Sequence, residues 1–206
     1  MTKQALNAFY TSRKNSFSES LASIRKRINL VSNIRLAIAL LIILAIYFGL
    51  TYYTWLYATL PLLFVFIYLI RVHSKLFDEK THLENLVNLN DAESKAAAGD
   101  SSSFVNGNEF IDPHHPYTHD LDIFGEGSLF QYTNRCNTLG GKQKFANRLS
   151  SSLPSATQIY EQQQAIQELA SLTDFRQHVQ AAGKELEEQP SDRAQLEAWL
   201  KQPSFL

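Results

Sequence analysis

The feature that most constrains this chain is a run of 35 residues without a charged side chain, from Leu36 to Ile70. A single helix of that length would be about 52 Å long, whereas the hydrocarbon core of a bilayer is about 30 Å thick. Two shorter helices joined by a turn fit the bilayer better. We therefore predict a transmembrane hairpin over residues 31–71, with spans at about 31–48 and 55–71. The competing interpretation is a buried hairpin in the core of a soluble protein.

Charged side chains are distributed unevenly around this run. Residues 1–35 contain seven Lys and Arg against one acidic residue, and residues 71–206 contain twelve against nineteen. Arg35 and Arg71 border the apolar run, while the turn near Gly49 carries no charge. Because cytoplasmic flanks are enriched in Lys and Arg, we expect a multi-pass protein of the cytoplasmic (inner) membrane with both termini cytoplasmic. The acidic balance after the run argues against non-specific nucleic-acid binding by that part alone.

The segments that flank the hairpin have patterns of their own. Residues 1–30 form a basic cytoplasmic segment in which Leu21, Ile24 and Ile28 recur at helical spacing. Two interpretations stay open for it: an amphipathic helix lying on anionic lipid, or a solvated helical extension of the first span. Residues 72–109 are predicted to be a helical connector that ends in a small, polar linker.

The remaining residues, 110–206, are predicted to be mainly helical. Ser128 and Gln131 have the spacing of a capping box, in which the serine oxygen accepts from a first-turn amide and the glutamine reaches back. Short stretches of alternating polarity predict one or two short strands, as a hairpin over 104–111 and a strand over 121–124. The predicted fold class is mainly α: a transmembrane helical hairpin followed by a helical region.

Residue types that bind metals are concentrated in one segment. They are His114, His115, His119, Asp120 and Asp122. Imidazole and carboxylate suit zinc, iron or nickel, and two aspartates at i, i+2 on a strand would share a face, as an acid–base pair requires. The favoured interpretation is simpler: these residues fix the segment to the core, and the carboxylates cap helix N-termini. We therefore predict no metal, cofactor or catalytic residue in this chain.

Two further features are candidates for chemistry. A stretch without acidic residues between Glu126 and Glu161 contains four cations that are candidate contacts for phosphate or for an acidic partner, although a solvated face is the favoured interpretation. They are Arg135, Lys142, Lys144 and Arg148. The single cysteine, Cys136, excludes an intrachain disulfide and is expected to be a buried structural thiol on the apolar side of its helix.

A longer motif carries a family resemblance. Its residues are His115, Pro116, Tyr117, Asp120, Asp122, Phe124, Gly125, Gly127, Ser128, Leu129, Asn134 and Arg135. A later helix containing Gln163, Ala165 and Ile166 continues the pattern. With this motif and two predicted spans, the chain resembles a membrane-anchored subfamily of the MutS family of DNA mismatch-repair ATPases. The resemblance extends over nearly the whole chain and implies that residues 110–206 begin the core, or lever, domain.

The chain departs from the family pattern in several ways. Cys136 stands where the family usually has Thr, and Gln162 where it often has Arg. The ATPase domain of the family has a phosphate-binding loop, Gly-x-x-x-x-Gly-Lys-Ser/Thr, and this chain has no such string. The mismatch-reading N-terminal domain of MutS is also missing, and the hairpin takes its place. We therefore expect no catalysis by this chain, and we expect residues 110–206 to be a truncated core.

The resemblance implies what the full-length protein does. It would be a homodimeric ATPase that uses ATP and Mg²⁺ and couples a clamp-like motion to DNA binding, with this chain as its membrane anchor and lever. Two alternatives stay open. One is a membrane-tethered helical adaptor that binds a protein partner through Trp199, Leu200 and Phe205 and has no DNA role. The other is a metal-dependent enzyme that uses the His and Asp cluster.

Overall fold

The computed structural model describes residues 2–151, 155–186, 188–189 and 191–202, except for the side chain of Arg193. This part of the chain contains seven α-helices and no β-strand. The helices are α1 (Lys3–Gly49), α2 (Leu56–Ala98), α3 (Leu129–Thr133), α4 (Leu139–Ser150), α5 (Ala156–Ser171), α6 (Thr173–Lys184) and α7 (Asp192–Leu200). Short 3-10 helices lie at Tyr53–Trp55 and Asn108–Phe110. The mainly helical fold is therefore confirmed.

The short strands predicted over 104–111 and 121–124 do not form. A 3-10 helix occupies Asn108–Phe110, and residues 116–122 are turns. Four positive φ angles within 21 residues explain the difference, because extended backbone requires negative φ. They belong to Gly107 (72°), Asp122 (48°), Gly125 (113°) and Gly127 (71°).

The chain divides into two compact units: Arg13–Val87, and Met1–Ser12 together with Asn88–Leu206. The first unit holds most of α1 and α2, which are both long and apolar enough to cross a membrane. Their apolar side chains are largely exposed; Leu36 is 62% exposed and Phe64 is 68% exposed. Apolar surface of this extent is unfavourable in water and suits contact with lipid.

The connection between α1 and α2 is tight. A Cβ atom on Gly49 would lie 2.6 Å from Cδ2 of Leu56, so a larger residue at this position would displace the Leu56 side chain. Tyr52 and Tyr53 follow in the turn and are exposed, as aromatic residues at a membrane–water interface would be. Helix α2 is continuous through Pro61, which lies in its second turn.

The basic N-terminal segment belongs to the same helix as the first apolar stretch, since α1 is continuous from Lys3 to Gly49. Its apolar positions Leu21, Ile24 and Ile28 are buried, at 5–8% exposure. Arg25, between them, donates a hydrogen bond from Nη2 to Oε1 of Glu84 on α2 at 2.8 Å. The structure therefore supports the interpretation as a helical extension, and the apolar face lies within the protein.

The second unit is built around the last three turns of α2. The first residues of α1 contact this segment, where the Asn7 Nδ2 donates to the Ser94 carbonyl at 3.3 Å. Helices α3 to α7 and the irregular segment 99–128 make up the rest of this unit. The predicted connector over 72–109 is helical as far as Ala98, so α2 includes the first residues of the expected linker.

Candidate functional site

The motif residue Arg135 is held by the last turns of α2. Its Nε and Nη2 donate to the two carboxylate oxygens of Glu93, at 2.5 Å and 3.0 Å. Its Nη1 donates to the carbonyls of Tyr132 and Asn134, both at 2.9 Å. The guanidinium carbon lies 3.6 Å from the centroid of the Phe104 ring. Two hydrogen bonds to one carboxylate, combined with stacking on a ring, are a geometry for which arginine is suited and lysine is not.

Arg135 is therefore committed to contacts inside the protein. Its side chain is 23% exposed and that of Glu93 is 14% exposed. A guanidinium that is paired, stacked and partly buried is a poor ligand for phosphate. The structure thus removes Arg135 from the cationic patch predicted from the sequence.

A second contact joins α2 to α6. Asn90 and Gln177 exchange two hydrogen bonds: Asn90 Nδ2 donates to Gln177 Oε1 at 3.2 Å, and Gln177 Nε2 donates to Asn90 Oδ1 at 2.9 Å. Asn90 is fully buried and Gln177 is 3% exposed. A buried amide is costly when its hydrogen bonds are unmade, so this pair fixes the position of α6 on α2. We call Asn90, Glu93, Arg135 and Gln177 the junction.

Of the four junction residues, only Arg135 could be identified from the sequence. Glu93 lies 42 residues from Arg135, and Asn90 lies 87 residues from Gln177. No local spacing rule connects positions so far apart. The one available signal was Asn90 itself, a polar residue directly after the buried Leu86 and Leu89 of α2.

The glycine and serine part of the motif forms the start of α3. Ser128 Oγ accepts from the Gln131 amide at 3.1 Å, as the capping box predicts. The Gln131 Oε1 reaches back to the Gly127 amide at 2.7 Å, and its Nε2 donates to the Phe104 carbonyl at 3.1 Å. The serine cap forms as predicted, while the glutamine bonds the amide one residue before the cap and also connects the loop at Phe104 to α3.

Four phenylalanine rings form the core next to this cap. Phe130 is fully buried, and its ring centroid lies 5.5 Å from those of Phe110, Phe124 and Phe145. A Cβ atom on Gly107 would lie 2.7 Å from the Phe130 ring. The motif residue Phe124 is therefore a core residue, and Leu129 points outward at 46% exposure.

The His-Pro-Tyr part of the motif contacts the C-terminal end of α4. His115 Nε2 lies 3.0 Å from the Ser150 carbonyl, and the Tyr117 hydroxyl donates to the Leu149 carbonyl at 3.1 Å. His115 Nδ1 accepts from the amides of Tyr117 and Thr118, at 3.4 and 3.3 Å, so Nε2 is the protonated nitrogen. Both side chains contact carbonyl groups in the last turn of α4, which have no hydrogen-bond partner within the helix itself. This agrees with the interpretation that the segment is fixed to the core.

The metal-ligand residues are not gathered into a site. Among the described residues no group of three or more His, Cys, Asp or Glu side chains could hold a metal ion. His114, His119, Asp120 and Asp122 are exposed, while His115 is occupied by the end of α4. Asp120 and Asp122 lie in turns, so they do not share a strand face, and the caps of α3 and α4 are Ser128 and Thr138. The role predicted for the two carboxylates as helix caps is therefore wrong for both helices.

The other cations of the predicted patch lie on α4. Lys144 and Arg148 are exposed one turn apart, and Lys142 is half-buried on another face. Helix α4 begins at Leu139, where Thr138 Oγ1 accepts from the Gly141 amide at 3.1 Å. What is left of the patch is a pair of solvated side chains, which is the interpretation favoured from the sequence.

Cys136 lies in the loop between α3 and α4, because α3 ends at Thr133. It is half-buried and lines a small cavity of about 160 Å³ with Phe104, Asn134 and Gln180. Burial raises the pKa of the Cys136 thiol above its ordinary value. The thiol therefore stays protonated at neutral pH and is a poor nucleophile.

Trp199 and Leu200, the residues of the predicted adaptor surface, are 65% and 67% exposed on α7. The third, Phe205, lies outside the described residues, as do the last four positions of the predicted region 110–206.

Comparison with protein-family models, with curated proteins and with solved structures finds no match for this chain. The resemblance to the MutS family thus stands on the motif residues alone. In the structure those residues build helix ends, a phenylalanine core and the junction. This arrangement can hold helices in place.

Proposed function

We propose that this chain anchors a MutS-like ATPase to the cytoplasmic membrane and carries the first part of its core. The observation that carries the proposal is the pair of hydrogen bonds from the motif residue Arg135 to Glu93 of α2. Helix α2 is uninterrupted from Leu56, in the apolar stretch, to Ala98. In the proposal, this helix would carry displacement from the junction toward the membrane.

The proposed division of labour follows from the sequence. This chain lacks a phosphate-binding loop, so ATP and Mg²⁺ would be bound by the remainder of the full-length protein. The nucleotide cycle there would move a clamp-like dimer on DNA, and the junction would connect that motion to the anchor. The chain itself would perform no reaction. Its direct partner would be the lipid bilayer.

Exposed apolar side chains on the last three helices support the idea of a larger core. Side chains of α5, α6 and α7 that have helical spacing are exposed, with Ile166 at 67%, Phe175 at 57%, Val179 at 55% and Leu200 at 67%. Surfaces of this type are normally covered by other protein. In the proposal they are covered by the rest of the core domain.

The first test is to read the gene beyond the codon for Leu206. An open frame that continues into Gly-x-x-x-x-Gly-Lys-Ser/Thr supports the ATPase proposal, and a stop codon at that position contradicts it. The second test is ATP hydrolysis by the full-length protein in detergent and in lipid vesicles. An Arg135→Gln variant should bind ATP normally and lose the influence of the membrane on the hydrolysis rate.

The alternative function is a membrane-tethered adaptor without a DNA role. The exposure of Trp199 and Leu200 favours it, because large aromatic and aliphatic side chains are typical anchors of protein interfaces. Retention of the protein on DNA separates the two proposals. A MutS-like protein should be retained at low salt and released as salt rises, whereas an adaptor should show no retention at any salt concentration.

A further inference from the structure

We propose that α2 carries a binding site for the headgroup of an aminophospholipid, of the phosphatidylethanolamine type. An open groove of about 450 Å³ lies along one face of this helix, and α2 alone lines it. Its residues are Tyr68, Arg71, Val72, Lys75, Leu76 and Glu79. The site deepens the membrane-anchor part of the proposed function and depends on it.

The groove lies at the depth where headgroups are expected. Arg71 is the first charged residue of α2 and comes fifteen residues after Leu56, which is about 22 Å along the helix. The uncharged turn extends the apolar part on the far side. Arg71 therefore falls at the near boundary of the hydrocarbon core, and Tyr68 falls just inside it, which is the depth that tyrosine favours.

Within the part of the chain that the structure describes, the cations of the groove have no carboxylate as an ion-pair partner. Arg71 and Lys75 are exposed and make no ion pair in the described part of the chain. One turn further from the apolar stretch the situation differs: Lys80 lies 3.6 Å from Glu84, which also accepts from Arg25. Protein carboxylates thus compensate the charges beyond the groove, and a bilayer phosphate can compensate the charges inside it.

Glu79 determines which headgroup fits. It lies in the same groove four residues beyond Lys75, so it is about 6 Å further from the apolar stretch. A carboxylate there would repel a headgroup that is only anionic. A headgroup with its phosphate near the chains and an ammonium group further out would match the order of charges along the helix. A primary ammonium can also donate hydrogen bonds to Glu79, which a quaternary choline cannot.

The test measures binding of individual lipids to the full chain. The purified protein in mild detergent is titrated with phosphatidylethanolamine, phosphatidylglycerol and phosphatidylcholine that have identical acyl chains, and bound lipids are counted by native mass spectrometry. We expect phosphatidylethanolamine to bind about three- to fivefold more tightly than the other two, which is the upper part of the range for solvent-accessible ion pairs.

Three variants assign the effect to the groove. Arg71→Gln should weaken the binding of phosphatidylethanolamine and of phosphatidylglycerol, because both carry the phosphate. Glu79→Gln should remove the preference for phosphatidylethanolamine and leave phosphatidylglycerol binding equal or stronger. The matched control is Arg35→Gln, since Arg35 borders the apolar stretch of α1 at nearly the same depth and does not line the groove. It should leave the preference unchanged.

The outcomes separate this proposal from the anchor on which it depends. Equal or tighter binding of phosphatidylglycerol by the unaltered protein, no effect of Glu79→Gln, or an equal effect of Arg35→Gln would each overturn the headgroup site. Flotation with vesicles supplies the remaining distinction. A chain that floats with vesicles of every composition retains its anchor even if the headgroup site fails, whereas a chain that floats with none loses both.

Discussion

At the scale of single residues, the contacts of Arg135 distinguish it from the other cations. We expect Arg135→Lys to lower the free energy of unfolding of the second unit by about 1–3 kcal/mol. An ammonium group cannot hydrogen-bond to both oxygens of Glu93 and stack flat on the Phe104 ring at the same time. Hydrogen exchange of amides 129–150 in the full chain would measure this as faster opening. The same substitution at the exposed Arg148 is the control and should change little. Equal effects at both positions would contradict the role given to Arg135.

Cys136 gives a second prediction at this scale. Burial raises the pKa of its thiol, so the folded protein holds the proton more tightly than the unfolded chain does. Iodoacetamide should therefore alkylate Cys136 several times more slowly in the native protein than in urea at pH 8. For the same reason this thiol favours the fold below its ordinary pKa of 9.0, and that contribution is lost as the pH rises through the raised value. Equal alkylation rates in the two states would show that the thiol is accessible.

At the scale of elements, the C-terminus of α4 depends on the His-Pro-Tyr segment. Tyr117→Phe removes only the hydroxyl that donates to the Leu149 carbonyl, and we expect it to cost about 1 kcal/mol. Exchange of the last amides of α4 should accelerate accordingly. Tyr132→Phe is a matched control, because Tyr132 is 58% exposed. If the control accelerates exchange as much as Tyr117→Phe does, the hydrogen bond is not the cause.

The extension of the hairpin beyond the apolar stretches gives a pH prediction. The hydrogen bond from Arg25 lowers the pKa of Glu84 below its ordinary value of 4.5, and Lys80 acts in the same direction. This contribution to stability is present above pH 4.5 and is lost as the pH falls through the lowered value. Because both side chains are substantially exposed, its size should stay below about 1 kcal/mol. Thermal unfolding of Glu84→Gln should lack this dependence on pH, and an unchanged pH profile would contradict it.

Structural elements that are determined by neighbouring residues in the sequence were predictable, and those that depend on distant contacts were not. The cap at Ser128 starts α3 as predicted, and Ser155 caps α5 in the same way, because a cap uses atoms within one turn. Two adjacent glycines are typical of a helix break, yet Gly140 and Gly141 both lie inside α4, since Thr138 caps the helix before them. The alternation over 121–124 covers only four residues, and the positive φ of Asp122 prevents a strand there.

At the scale of the whole molecule, the apolar stretch was the most predictable feature, because a run without charge needs no partner to be recognised. The junction was not predictable, since its residues meet only after the second unit has folded. The motif residues illustrate both cases. Ser128 and Gln131 could be assigned from spacing alone, whereas the partner of Arg135 could be found only in three dimensions.

The orientation of the hairpin is the last prediction. With Cys136→Ser as background, a membrane-impermeant maleimide applied to intact cells should label Thr51→Cys in the turn. It should label Ser20→Cys and Ser171→Cys, exposed positions on α1 and α5, only after permeabilisation. The reason is that the Lys and Arg residues flank the apolar stretches and are missing from the turn, a distribution that predicts cytoplasmic flanks.

Each alternative result of this labelling has its own meaning. The charge-free part of α1, from Leu36 to Gly49, is about 21 Å long, so in the predicted topology the turn would only just reach the far headgroups. Protection of Thr51→Cys both before and after permeabilisation would place the turn inside the bilayer, as a hairpin that enters and leaves by one face. Labelling of Ser20→Cys in intact cells would reverse the orientation. Either result would contradict the topology predicted here, and the second would also place the junction outside the cytoplasm, where ATP is not supplied.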